Sequence, residues 1–148
     1  MNIEILNTPR RFQLYGKSSA VELHEIAATG MRLMDELWRI VKGSQTPNTG
    51  INHWVYLPDG RMFVGVELQP GAPAPDGLES RQFELRRHLQ HTHVGPYQAL
   101  PEKWQQLKTE LAARGEAICG PSLEIYGHHG DDPAKLETKI LIGLSPAP

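Results

Sequence analysis

From Val21 to Val41 the apolar residues Leu23, Ile26, Ala27, Met31, Met34, Leu37, Ile40 and Val41 recur at spacings of three and four, the stripe of an amphipathic helix. The spacing predicts a helix that stops before Gly43, with a polar loop carrying Pro47 over 44–50. Upstream, Ile3, Ile5 and Leu6, then Phe12, Leu14 and Tyr15, alternate in part, as a short strand broken by Pro9 would. Downstream, 52–68 reads as two strands joined through Pro58-Asp59-Gly60, because Asp-Gly between apolar runs tolerates the positive φ that a hairpin turn requires. The stretch 69–77, rich in Pro and Gly, suits neither a helix nor a central strand and reads as a connector.

Phe83, Leu85, Leu89, His91 and His93 then alternate with polar residues as one strand. The strand must stop at Gly95-Pro96, since Pro96 fixes its own φ and restricts the residue before it. Tyr97 is left at the turn from strand to helix, where its ring either faces a cleft or closes off the core. A helix opens near Leu100 and Pro101, shows one face in Leu100, Trp104, Leu107 and Leu111, and stops at Gly115. Segments 122–126 and 136–144 read as two further strands joined by the polar loop 127–135.

The two halves match. Gly50 to Tyr56 and Gly120 to Tyr126 have the same separation, and Arg61 to Val66 aligns without gaps to Lys139 to Leu144. Each half reads strand, helix, strand, strand, and each helix carries one Trp, Trp38 and Trp104. The expected architecture is α+β: two such repeats forming an antiparallel sheet, two helices on one face, and a cleft at the repeat seam. Within a single domain, repeat one covers about 1–69, the linker about 70–80 and repeat two about 81–145.

Composition narrows the function. A chain of 148 residues with 39% apolar and 22% charged residues is one domain with a real core. A net charge of -2, with no basic run interleaved with aromatics, argues against direct nucleic-acid binding. No apolar window has membrane-spanning length, nothing near Met1 resembles a signal peptide, and the single Cys119 fits a reducing compartment, so a cytoplasmic place is expected. His91 and His93 share a side of their strand, but no carboxylate or Cys stands at a spacing that completes a metal site, and His128-His129 lies in a polar loop. Neither a metal nor another cofactor is expected, and haem on His91 or His93 is a lesser reading. No nucleophile elbow or phosphate-binding glycine loop is present.

The seam collects Tyr56, Tyr97, Tyr126, Trp38, Trp54 and Trp104, with Glu67 and Glu137 as the acids. Glu137 opens a strand whose continuation is apolar, so its neighbours draw it toward the sheet. Among aromatic faces a carboxylate is costly to desolvate alone but suited to a cation. The plainer alternative is a strand-end acid in water, paired with Lys139.

His93-x-Gly95-Pro96-Tyr97, the following helix with Leu100 and Trp104, Gly120-Pro121 leading to Glu124-Ile-Tyr126, and Leu136-Glu-Thr-Lys-Ile140 together resemble the second half of the GyrI-like small-molecule-binding domain. That domain is the effector-binding part of many AraC- and MerR-type transcription regulators. The resemblance implies a cleft between two repeats that takes hydrophobic, often cationic compounds, as in multidrug binding, with the acid at the Glu137 position in the pocket and aromatics such as Tyr126 around it. Lys139 departs from the family, which often repeats an acid there. Since Met1 already opens the first strand, a stand-alone effector-binding form is expected. Among stand-alone relatives the resemblance implies sequestering proteins, inhibitors of DNA gyrase, which would make gyrase a protein partner, and hydrolases of reactive electrophilic natural products. In a hydrolase Glu137 would activate water as general base and Tyr126 would polarise the leaving oxygen.

Overall fold

The computed structural model describes residues 3–127 and 132–147. In chain order these form β1 (Glu4–Leu6), β2 (Arg10–Ala20), α1 (Ile26–Ser44), β3 (His53–Tyr56), β4 (Arg61–Val66), β5 (Glu79–Leu85), β6 (Arg87–Val94), α2 (Leu100–Ala113), β7 (Ile118–Tyr126) and β8 (Glu137–Leu144). Single 3-10 turns, Leu23–Glu25 and Tyr97–Ala99, lead into the two helices. All strands join one antiparallel sheet in the order β1-β6-β8-β7-β3-β4-β2-β5, and the helices cover one of its faces, here the front. The expected α+β architecture is the one observed.

Both boundaries of α1 differ from the expectation for physical reasons. α1 begins at Ile26 rather than near Val21, because the β2 ladder holds the chain as far as Ala20, paired with Arg61, and the Val21 N–H still donates to the Gly60 carbonyl. It also runs past Gly43, where a side chain would meet nothing, to Ser44, and ends where Gln45 turns left-handed at φ 54° and caps the last carbonyls. The Asp59-Gly60 hairpin forms as read, with Gly60 at φ 82° and Asp59 Oδ1 accepting from the Arg61 N–H.

The larger difference is at Arg86. The alternating run from Phe83 to His93 is two strands, not one. β5 pairs with β2 at one end of the sheet, whereas β6 pairs with β1 and β8 near the other. Leu85 and Arg87 are two residues apart and so within about 7 Å. The two ends of the sheet must therefore meet, and the sheet curls until its rear face closes on itself. That curl buries a core on a face that no helix covers: Phe12, Leu14, Val55, Phe63, Leu123 and Leu141 pack there together. The front core is split, with Leu33, Leu37 and Val41 of α1 over one half and Leu100, Leu107 and Leu111 of α2 over the other.

The strand order reads the same from either end, so an approximate twofold axis crosses the seam where β3 pairs with β7. One separation along the chain takes Ala20 to Val94, the turn Leu23–Glu25 to Tyr97–Ala99, and Ile26 to Leu100. Cross-strand pairing carries the equivalence on. Ala20 pairs with Arg61 as Val94 pairs with Glu137, which makes Val64 equivalent to Ile140; Trp54 pairs with Val64 as Glu124 pairs with Ile140. Trp54 and Glu124 are thus equivalent, and they are also each other's partners across the seam, so the axis passes between them. The equivalent of Arg61 is Glu137, so the gapless alignment of Arg61 with Lys139 lies two residues out of register. The equivalent of Trp104 is Gly30, not Trp38.

Candidate functional site

On the front face the seam lies between the two helices, and its floor is Glu124 of β7. Strand alternation puts Ser122, Glu124 and Tyr126 on this face, with Leu123 and Ile125 behind. Glu124 is 4% exposed. Its carboxylate is solvated by side chains from both halves: Trp104 Nε1 donates to Oε2 at 2.8 Å, the Tyr126 hydroxyl donates to Oε1 at 2.8 Å, and the Tyr56 hydroxyl also donates to Oε1. All three donors are neutral, so they stabilise the charge without cancelling it. Burial, and after it the Glu124 charge, pushes the pKa of both phenols up, which keeps the protons on the tyrosines as donors.

The rings close over this acid edge to face. Tyr56 meets Trp104 at 5.8 Å between centroids, Trp54 meets Tyr126 at 5.5 Å, and Tyr97 meets Tyr126 at 5.3 Å. Tyr97 reaches the cluster because Gly95, at φ 141°, and Pro96 turn the chain straight out of β6 into the short turn before α2. Lys108, one turn beyond Trp104, holds its ammonium 5.9 Å from the indole centroid. Gly30 makes room on the α1 side, for a Cβ there would stand 2.2 Å from the Trp54 ring. Trp54 Nε1 is buried and has no hydrogen-bond partner among the described residues.

Of the residues expected at the seam, Tyr56, Tyr97, Tyr126, Trp54 and Trp104 come together. Trp38 packs in the α1 cluster, and its Nε1 donates to Asn52 Oδ1 at 2.7 Å. Glu137 does not join them. It is exposed, and together with Lys139 and Glu67 it lines a depression on the rear face, because residues 138, 140 and 142 are the ones β8 turns forward. The acid in the aromatic cluster is Glu124 of the Glu124-Ile-Tyr126 motif. The signal was available: on a strand, residues two apart share a face, so placing Tyr126 in the cleft places Glu124 there too.

His91 and His93 point forward beneath α2 and are 8% and 7% exposed; His93 Nε2 lies 3.4 Å from the Pro96 carbonyl. Among the described residues no group of His, Cys, Asp and Glu has metal-binding geometry, and His128-His129 lies outside them. No helix among the described residues is long and apolar enough to cross a membrane.

A family model described as a GyrI-like small molecule binding domain matches residues 59–145. No curated sequence matches the chain. Among solved structures, the SAV2435 protein bound to tetraphenylphosphonium superposes with a TM-score of 0.68 at 14% identity, over 98% of this chain and 94% of that one. EcmrR, in a complex with DNA, superposes with a TM-score of 0.68 at 13% identity, over 98% of this chain but 58% of that longer one. A hydrolase from Listeria innocua gives a TM-score of 0.52 at 14% identity over 94% of this chain and 92% of its own. At these identities the likeness is one of fold.

Proposed function

The chain belongs to the GyrI-like small-molecule-binding domain family, and on that premise we propose that it binds lipophilic aromatic cations at the front seam, with Glu124 as the countercharge. The observation that carries this reading is a buried carboxylate among aromatic rings whose named donors are all neutral. An organic cation supplies the missing charge, and it gains cation-π attraction from the same rings. Its aryl groups exchange contacts with Tyr97, Trp104 and Tyr126, so the edge-to-face pairs part on binding and re-form on the ligand. The tetraphenylphosphonium held by SAV2435, a protein of the same fold, is a ligand of this kind.

Titration of the purified chain with tetraphenylphosphonium, followed by tryptophan fluorescence and calorimetry, tests the reading. Two unit charges about 8 Å apart at an effective dielectric of about 20 attract by about 2 kcal/mol, so Glu124→Gln should weaken phosphonium binding about tenfold or more. Triphenylphosphine oxide, which is neutral and similarly shaped, should bind both proteins alike, and Glu137→Gln should change neither affinity. The reading fails if the phosphonium does not bind the wild-type chain, or if Glu124→Gln leaves its affinity unchanged.

A further inference from the structure

The depression behind the seam is a second site with a different chemistry. It has a volume of about 310 Å³, lies at the open end of the curled rear face, and is lined by Arg10, His53, Glu67, Ile125, Glu137 and Lys139. Pairing builds its floor: His53, Ile125 and Lys139 stand in register on β3, β7 and β8, with one strand spacing of about 4.8 Å between neighbours.

His53 sets the chemistry. It is 2% exposed, and its Nδ1 lies 3.1 Å from the Ile51 carbonyl, which can only accept, so Nδ1 carries a hydrogen. Burial, aided by the charge of Arg10, holds the imidazole pKa below its ordinary value, against the opposing pull of the Ile51 bond and Glu67. At neutral pH Nε2 is therefore a bare acceptor. It faces Glu67 Oε1 at 3.4 Å, two acceptors with no hydrogen between them. An ammonium group placed there donates to both. Around it the lining carries two carboxylates, Glu67 and Glu137, and two cations, Arg10 and Lys139. A plain cation or a plain anion meets a like charge in this bowl. A molecule that carries both charges meets an opposite charge at each end.

We propose that the rear bowl binds a small zwitterion of the amino-acid class, its primary ammonium seated between His53 Nε2 and the Glu67 carboxylate and its carboxylate turned toward Lys139 and Arg10. The volume lies at the lower end of small-molecule pockets and suits a ligand of this size. The bowl and the front seam take different charges on opposite faces, because neighbouring residues on β3 and β7 alternate: His53 and Ile125 line the bowl, Trp54 and Glu124 face the helices, and Tyr126 borders both.

The test is calorimetric titration of the full chain with 6-aminohexanoate and with its isomer L-norleucine, which hold the same two charges far apart and close together. Hexylamine and hexanoate, each bearing one of the two charges, are the controls. At least one zwitterion should bind with a Kd below about 10 mM. Either single-charge control should bind it at least about tenfold more weakly, and Glu67→Gln or Lys139→Met should each lower zwitterion affinity about fivefold or more. Both substitutions are at exposed positions, and unchanged tetraphenylphosphonium binding would show that each variant is folded. The proposal is overturned if neither isomer binds in that range, if a single-charge control binds as well as the zwitterion, or if both substitutions leave its affinity unchanged.

Discussion

Gly30 and Trp104 occupy equivalent places on the two helices, and the exchange of volume between them shapes the site. Where the second half has an indole reaching Glu124, the first half has a gap that the Trp54 indole fills. In an exposed helix interior Gly→Ala gains about 1 kcal/mol of propensity. At Gly30 the new methyl would meet a buried ring at 2.2 Å, and overpacking of that kind costs about 1 to 3 kcal/mol, so the clash decides the sign. Gly30→Ala should lower the thermal midpoint and shift the tryptophan emission as Trp54 is displaced. A second residue-level prediction concerns His88, which is fully buried on the rear face with both ring nitrogens lacking partners among the described residues. Burial first, and then the charge of Arg10, lowers its pKa from 6.5, and His53 is lowered too. The unfolded chain therefore takes up more protons than the folded one below pH 6.5. Stability is full above that pH and falls as pH drops toward the folded pKa values, by at most about 1.4 kcal/mol per pH unit for each histidine. Urea midpoints measured from pH 7.5 to 5 should show the fall, and His88→Leu should make it shallower. At this scale the rings were legible in the sequence and the acid was not, because Glu124 lies between apolar neighbours in a strand buried on both faces, whereas Glu137 stands at a strand end where either exposure or burial is possible.

Among elements, the helices could be read because each buries one face and so leaves a period in the sequence, and the hairpin because Asp59-Gly60 marks a turn between two apolar runs. The β5-β6 junction could not. Phe83 and Leu85 point to the rear core, yet Leu89 points to the front, so the chain turns over at Arg86 while odd-numbered apolar residues continue without a break. Next to the turn, Arg87 makes two hydrogen bonds to Glu116 at 2.6 and 2.7 Å and a third to the Ser145 carbonyl, tying the start of β6 to the segment after α2 and to the chain beyond β8. The Arg87 bonds hold the Glu116 pKa below its ordinary 4.5. The stability this pair contributes is present above pH 4.5 and is lost as pH falls through the folded value. Glu116→Gln should lower the thermal midpoint at pH 7, and the gap from wild type should close when both are measured near pH 3.

For the whole molecule, the seam is an ordinary ladder between β3 and β7, so the two halves share one sheet and one rear core. Unfolding in urea should then be a single transition, with the same midpoint by tryptophan fluorescence and by far-ultraviolet circular dichroism. A fragment of residues 70–148 alone should show no cooperative transition, since β7 would lose its β3 partner and Glu124 its Tyr56 donor. The order of elements in the two halves was readable from the sequence. Their register was not, because short apolar strands slide by two residues without changing which face is buried. In a dimer of two identical half-length chains, the residue on the symmetry axis meets its own copy, so an acid there faces an acid and an indole faces an indole. Only a chain that carries both copies can mutate them separately. The pairing of Trp54 with Glu124, one carboxylate with an aromatic wall opposite, is open to a single chain that carries both halves and closed to a dimer of identical ones.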